Sequence, residues 1–269
     1  MEIDKDKCIG CGNCHPVCTM GAIYLGEDGK STVNQNECVE CSTCYKFLTS
    51  ERRRPWFARA VRKFLSAFRL GYLAEPDVCP TGALSPPTLE WPRAVRAFFS
   101  DPTIAHPSTG LGGRGTEEIK TNDVTGRIRN GEVGLVVELG RPGTGAYFHE
   151  IEKVVVALAR LRPFFEKENP VTQLIEDPET GKMNAEVLNE KVLSAIIEIK
   201  IDEERIPEFM QVLRQVESEI DTTMMVGIAS RCLPDGTVPH EKWLAEIGLK
   251  SSPNGKTNLG LGRPLFEDK

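Results

Sequence analysis

Cys8-Ile9-Gly10-Cys11-Gly12-Asn13-Cys14 carries a cysteine at every third position, and Cys18 follows after three further residues. Iron–sulfur clusters are held by cysteine thiolates. A short loop with this spacing brings three sulfurs to three corners of one [4Fe–4S] cube, while the fourth cysteine serves a different cluster. The motif therefore predicts a second copy, and the chain contains one. Cys38, Cys41 and Cys44 repeat the spacing, and Cys79-Pro80-Thr81-Gly82-Ala83-Leu84 completes it after a long insertion. Zinc fits this pattern poorly, because it takes paired Cys-x2-Cys hooks closed into one tetrahedral set. Disulfide frameworks belong to short secreted chains, whereas this one has 269 residues.

The two halves align beyond their cysteines. Ile3 matches Val33, each five residues before its first cysteine, and Gly21-Ala22-Ile23 matches Gly82-Ala83-Leu84 after the last. Over residues 1–50 and 76–86 the chain resembles the bacterial two-[4Fe–4S] ferredoxins. That resemblance implies two clusters, one held by Cys8, Cys11, Cys14 and Cys79, the other by Cys38, Cys41, Cys44 and Cys18. Two features depart from the family. Thr19 stands where the first motif's proline would be, and 34 residues separate Cys44 from Cys79 instead of three.

Around these cysteines lies an acidic chain, net charge −6, with 40% hydrophobic and 27% charged residues. The balance describes an ordinary globular protein and argues against nucleic acid as the main partner. The charged N-terminus reads as neither signal nor transit peptide, and no apolar run approaches the ~18 residues of a membrane span. Thiolates kept for iron imply a reducing interior, expected to be cytoplasmic. The oxygen sensitivity of the resembled family suggests an anaerobic or microaerobic setting.

The insertion, residues 45–75, holds an amphipathic pattern. Phe57, Val61, Phe64, Leu65 and Phe68 fall on one helical stripe, with Arg59, Arg62, Lys63 and Arg69 on the other side. Residues 51–75 carry seven basic residues against Glu51 and Glu75. Three roles are compatible with the pattern: packing on the protein's own body, docking an acidic redox partner, or contact with a membrane surface through 51–70.

Residues 87–130 read as a connector, with a short helix over Trp91–Phe99. Gly110, Gly112 and Gly115 spell G-x-G-x-x-G, but Pro107 precedes them and no βαβ unit surrounds them, so a dinucleotide site is rejected. The loop 108–115, with Arg114, Lys120, Arg127 and Arg129 nearby, has the donors for an anion.

Residues 131–231 become periodic. Strands are expected over 132–139, 171–176, 194–201 and 222–229, with helices over 147–161 and 203–220. The order βαββαβ is that of the split βαβ, or ferredoxin-like, sandwich, and it resembles ACT-type domains in pattern only. The face of the sheet away from the helices is expected to be apolar and to meet another subunit, as in a homodimer, or the cysteine-bearing unit. Residues 232–269 read as a C-terminal arm, with Cys232 a small apolar residue.

The expected fold class is thus α+β: a two-[4Fe–4S] ferredoxin domain over 1–86 with a helical insertion, a connector over 87–130, a sandwich over 131–231 and an arm. No acid–base pair or second cofactor motif is evident; His149 and His240 are isolated. The reading is an electron-transfer subunit serving a flavin, molybdenum or tungsten enzyme, or another ferredoxin. The alternative is a redox- and small-molecule-responsive regulator with an ACT-like ligand domain.

Overall fold

A computed structural model describes residues 1–45, 55–68, 78–110 and 122–252. The first unit is built from four short strands, β1 (Glu2–Ile3), β2 (Ile23–Leu25), β3 (Ser31–Val33) and β4 (Leu84–Ser85). Ile3 pairs with Leu84 across β1 and β4, and Ile23 pairs with Val33 across β2 and β3. These are the positions that align between the two halves of the sequence, so each half lends one strand to each ribbon. An apolar core of Met1, Ile23 and Leu84 closes around Cys14 and Cys44.

Between β3 and β4 lies α1 (Pro55–Ala67). Proline suits a first helical turn because its missing N–H has no intrahelical partner there. The helix expected from the spacing forms, but its aromatic stripe does not pack inward. Trp56, Phe57, Phe64 and Phe68 are all exposed. The expected Gly71 stop lies outside the described residues, as does most of the G-x-G-x-x-G loop beyond Gly110.

α2 (Ala94–Ser100) and the single turn α3 (Asn122–Thr125) precede the second unit. α2 belongs to the larger core, since Val95 and Phe99 are buried in it. The unit then runs β5 (Glu132–Leu139), β6 (Ala146–Tyr147), α4 (Phe148–Ala159), β7 (Phe164–Phe165), β8 (Ile175–Asp177), β9 (Lys182–Met183) and β10 (Lys191–Val192). It continues through β11 (Ala195–Asp202), α5 (Ile206–Glu217), β12 (Met224–Ser230) and α6 (Pro239–Glu246). The main sheet has the order β12-β5-β11-β7, antiparallel throughout.

Alternation explains its core. Val133, Leu135, Val137 and Leu139 on β5, and Ala195, Ile197, Ile199 and Ile201 on β11, bury one face against α4 and α5. The opposite face is mixed rather than uniformly apolar. Val136, Ile196 and Met225 share it with Glu132, Glu138, Glu198 and Lys200, and residues 126–129 partly cover it.

Two further expectations need correction. The stretch 171–176 is not the sheet's second strand. Thr172–Leu174 is a 3-10 turn, β8 pairs only with β9, and the second strand is β7. Residues 239–246, expected within the arm, form α6, whose Leu244 is buried in the core. Cys232 is exposed.

Candidate iron–sulfur site

The two cysteine loops share one backbone shape. Gly10 and Gly12 have φ of 68° and 74°; Glu40 and Ser42, at the matching positions of the second loop, have 54° and 56°. Left-handed backbone curls each loop so that its three thiols converge. It is inexpensive for glycine and costs about 1–2 kcal/mol for other residues. At Gly10 a side chain is also excluded by space, because a Cβ there would lie 2.2 Å from the carbonyl oxygen of Gly29. Glu40 instead has a reason to be a side chain. Its buried carboxylate binds the Met1 ammonium and accepts from Arg93 Nε at 3.0 Å.

The structure groups the thiols across the repeat. Cys18, Cys38, Cys41 and Cys44 line one cavity, walled by Met1, Ile23, Val33 and Val39. Cys14 lies close enough to Cys11 and Cys79 to feel their charge, in the loop that Cys8 opens. The closing cysteines are held alike: the N–H of Ala22 donates to Cys18 Sγ and that of Ala83 to Cys79 Sγ, each at 3.2 Å. Thr19, in place of the family's proline, sets its hydroxyl 3.3 Å from Cys41 Sγ. Ser31 Oγ stands 3.4 Å from Cys14 Sγ and 3.0 Å from His15 Nε2.

Burial pushes the Cys14, Cys38 and Cys44 thiols above the ordinary cysteine range. The neighbouring cysteine charges add to the shift at Cys14 and Cys44, and the Glu40 charge adds to it at Cys38. Cys79 goes the other way. Burial raises it, but hydrogen bonds from the Thr81 hydroxyl and from backbone N–H groups outweigh that. Four converging thiolates repel one another, so metal binding at such a group must expel protons and compensate negative charge.

Among the described residues no group of three His, Cys, Asp or Glu closes on a single metal ion. Cys18, Cys38, Cys41 and Cys44 line one cavity instead, a donor arrangement that fits a multi-iron cluster with sulfur ligands.

The two groups differ in cover. Cys11 is exposed, and Ile9 beside it is 67% exposed. The second loop is roofed by the other unit. Leu193 packs against Met20, Ala22 and Val39, and the N–H of Gly143 donates to Thr19 O at 2.7 Å. Arg96, buried on α2, donates to the carbonyls of Gln35, Asn36 and Cys38 at 3.1, 3.1 and 2.8 Å and ion-pairs with Glu190. Lys191 and Glu37 add an ion pair at 2.6 Å. Sequence reasoning does not reach this clamp. Arg93 and Arg96, one helical turn apart between two predicted units, are its only signal.

A second cleft of about 470 Å³ lies between residues 126–129 and the mixed face of the sheet. Two ion pairs lie in it, Arg127 with Glu166 at 2.7 Å and Lys200 with Glu132 at 2.9 Å. Arg127, expected as an anion donor, is thus committed to a carboxylate. His149 and His240 are equally engaged, the first against Glu150 and the second with Ser230 Oγ.

Residues 1–24 match the 4Fe-4S binding domain family. The chain is also similar to two Ferredoxin-1 sequences of Rhodobacter capsulatus, each 42% identical over 41 residues. The match covers 15% of this chain and spans 62% of the length of each of these relatives. No solved structure matches at a comparable level. The N-terminal segment is a 4Fe–4S ferredoxin-type domain. No helix among the described residues is long and apolar enough to cross a membrane.

Proposed function

We propose that this chain relays single electrons through two [4Fe–4S] clusters to or from a catalytic redox partner. One observation carries the reading: Cys18 lines the same cavity as Cys38, Cys41 and Cys44, while Cys14 feels the charges of both Cys11 and Cys79. That exchange of closing cysteines is what a two-cluster ligand set requires. Cys8, Cys11, Cys14 and Cys79 would hold one cluster, and Cys38, Cys41, Cys44 and Cys18 the other. When bound, each cluster supplies one-electron redox chemistry at a potential set by charge, hydrogen bonds to sulfur and solvent exposure.

The chain's own residues supply those three controls. The N–H groups of Ala22 and Ala83 and the hydroxyls of Thr19 and Thr43 are aimed at thiol sulfurs. Met1, Ile23 and Leu84 keep water from the space between the groups. The exposed Ile9–Cys11 loop is the natural surface for exchange with a partner, since the second loop is covered. The 131–231 unit, with the strand order of a ferredoxin-like sandwich, would act as a rigid platform that holds the covered loop. A flavin, molybdenum or tungsten enzyme, or another ferredoxin, in a reducing cytoplasm fits this role.

Anaerobically purified protein should contain about eight iron atoms and eight sulfides per chain. Iron near four, or zinc in its place, would refute the two-cluster relay. Co-purification with a redox enzyme would identify the partner.

A further inference from the structure

From Arg52 to Ala74 the chain holds seven basic residues and no acidic one, inside a protein of net charge −6. Within this stretch α1 turns aromatic side chains to solvent: Trp56 is 61% exposed, Phe57 43%, Phe64 64% and Phe68 63%. The rings associate with one another, Trp56 with Phe57 at 5.9 Å and Phe64 with Phe68 at 5.1 Å between centroids. Paired exposed aromatic rings of this kind on one helix mark a binding face rather than a random exposure.

Charge and geometry select the occupant. A protein partner would need an apolar pocket shaped for the rings as well as acidic groups for the cations. A bilayer interface takes both, with aromatic rings at headgroup depth and cations against anionic lipid. Thirteen helical residues extend only about 20 Å, short of the ~30 Å hydrocarbon core, so the helix would lie in the interface plane. We propose that α1 docks the protein on anionic membrane surfaces. The inference does not depend on the electron-transfer reading.

The test is co-sedimentation of the full, iron-loaded chain with vesicles of phosphatidylcholine alone and of phosphatidylcholine containing about one-third phosphatidylglycerol. Binding to the anionic vesicles should be at least about tenfold tighter and should weaken as salt screens the charges. The double variant Phe64→Glu/Phe68→Glu should lose about tenfold or more of that binding. Both positions are exposed, so its iron content and circular dichroism should match the wild type. Trp56→Phe should keep binding while removing the blue shift of tryptophan emission on vesicles.

Equal binding to neutral and anionic vesicles would overturn the proposal, as would full binding by the double variant. A concentration-dependent dimer that the same substitutions abolish, without vesicle binding, would assign the face to a second copy of the chain and also overturn it.

Discussion

The guanidinium of Arg96 donates to the carbonyl oxygen of Cys38 at 2.8 Å while its Nε faces the carboxylate of Glu190. One side chain thereby ties a cysteine loop to the larger unit. Both partners are largely buried, with Arg96 6% and Glu190 14% exposed. Removing one member of such a pair leaves an uncompensated charge and costs about 3 kcal/mol or more. Arg96→Leu should lower the unfolding midpoint accordingly and alter the signal of the cluster assigned to Cys38, sparing the other cluster. Arg96→Lys should recover part of the midpoint, because lysine restores charge but not the forked donors. Equal change in both cluster signals would deny Arg96 this selective role.

Gly10 and Gly21 separate backbone strain from lack of space. Both have positive φ, 68° and 64°, but a Cβ at Gly10 strikes the Gly29 carbonyl at 2.2 Å and one at Gly21 meets nothing within 4 Å. Gly21→Ala should cost about 1 kcal/mol from the left-handed backbone alone. Gly10→Ala should cost about 3 kcal/mol, because backbone must also move. Cluster-loss rates in denaturant, compared between the two variants, measure the difference; equal rates would show that the loops can part freely.

What was legible in the sequence follows from what its patterns encode. Cysteine spacing and the Ile3/Val33 and Ile23/Leu84 correspondences encode local geometry, and the paired strands follow them. Alternation on β5 and β11 encodes a buried face, and that face is where the pattern puts it. The second strand escapes a sequence reading because Val171-Thr172-Gln173-Leu174-Ile175 has strand-like composition, whereas Phe164–Phe165 is too short to show a period. Periodicity in α1 reveals an apolar face but not what covers it, so the exposure of Phe64 and Phe68 was not readable. The left-handed Glu40 and Ser42 carry no glycine signal. Arg96 reaches carbonyl groups about sixty positions away in the chain, and backbone acceptors leave no trace in residue type.

The closing cysteines provide a pairwise test. Cys18→Ser and Cys44→Ser should abolish the same cluster signal, and Cys11→Ser and Cys79→Ser the other, each dropping iron from about eight to about four. Cys232→Ser should change neither iron nor spectra, as Cys232 is exposed and outside both groups. Grouping of Cys18 with Cys11 in the electron paramagnetic resonance spectra would break the crossed assignment.

His106 should make stability depend on pH in one defined window. It is buried against Phe98 and Phe99, and Ser108 donates its backbone N–H to Nδ1 at 3.2 Å, which puts the ring proton on Nε2. Burial lowers its pKa from 6.5 to about 4. The unfolded chain therefore binds a proton between these values that the folded chain refuses. Stability is unaffected above the unfolded value, falls as pH drops below 6.5, and levels off once pH passes below about 4. The full loss is about 3 kcal/mol, of which about 1 kcal/mol is reached by pH ~5.5. His106→Asn keeps a side-chain acceptor for Ser108 and cannot titrate, so its urea midpoint should fall less than the wild type's between pH ~7.5 and ~5.5. Identical midpoint shifts in the two proteins would mean that His106 takes up its proton without opening the fold.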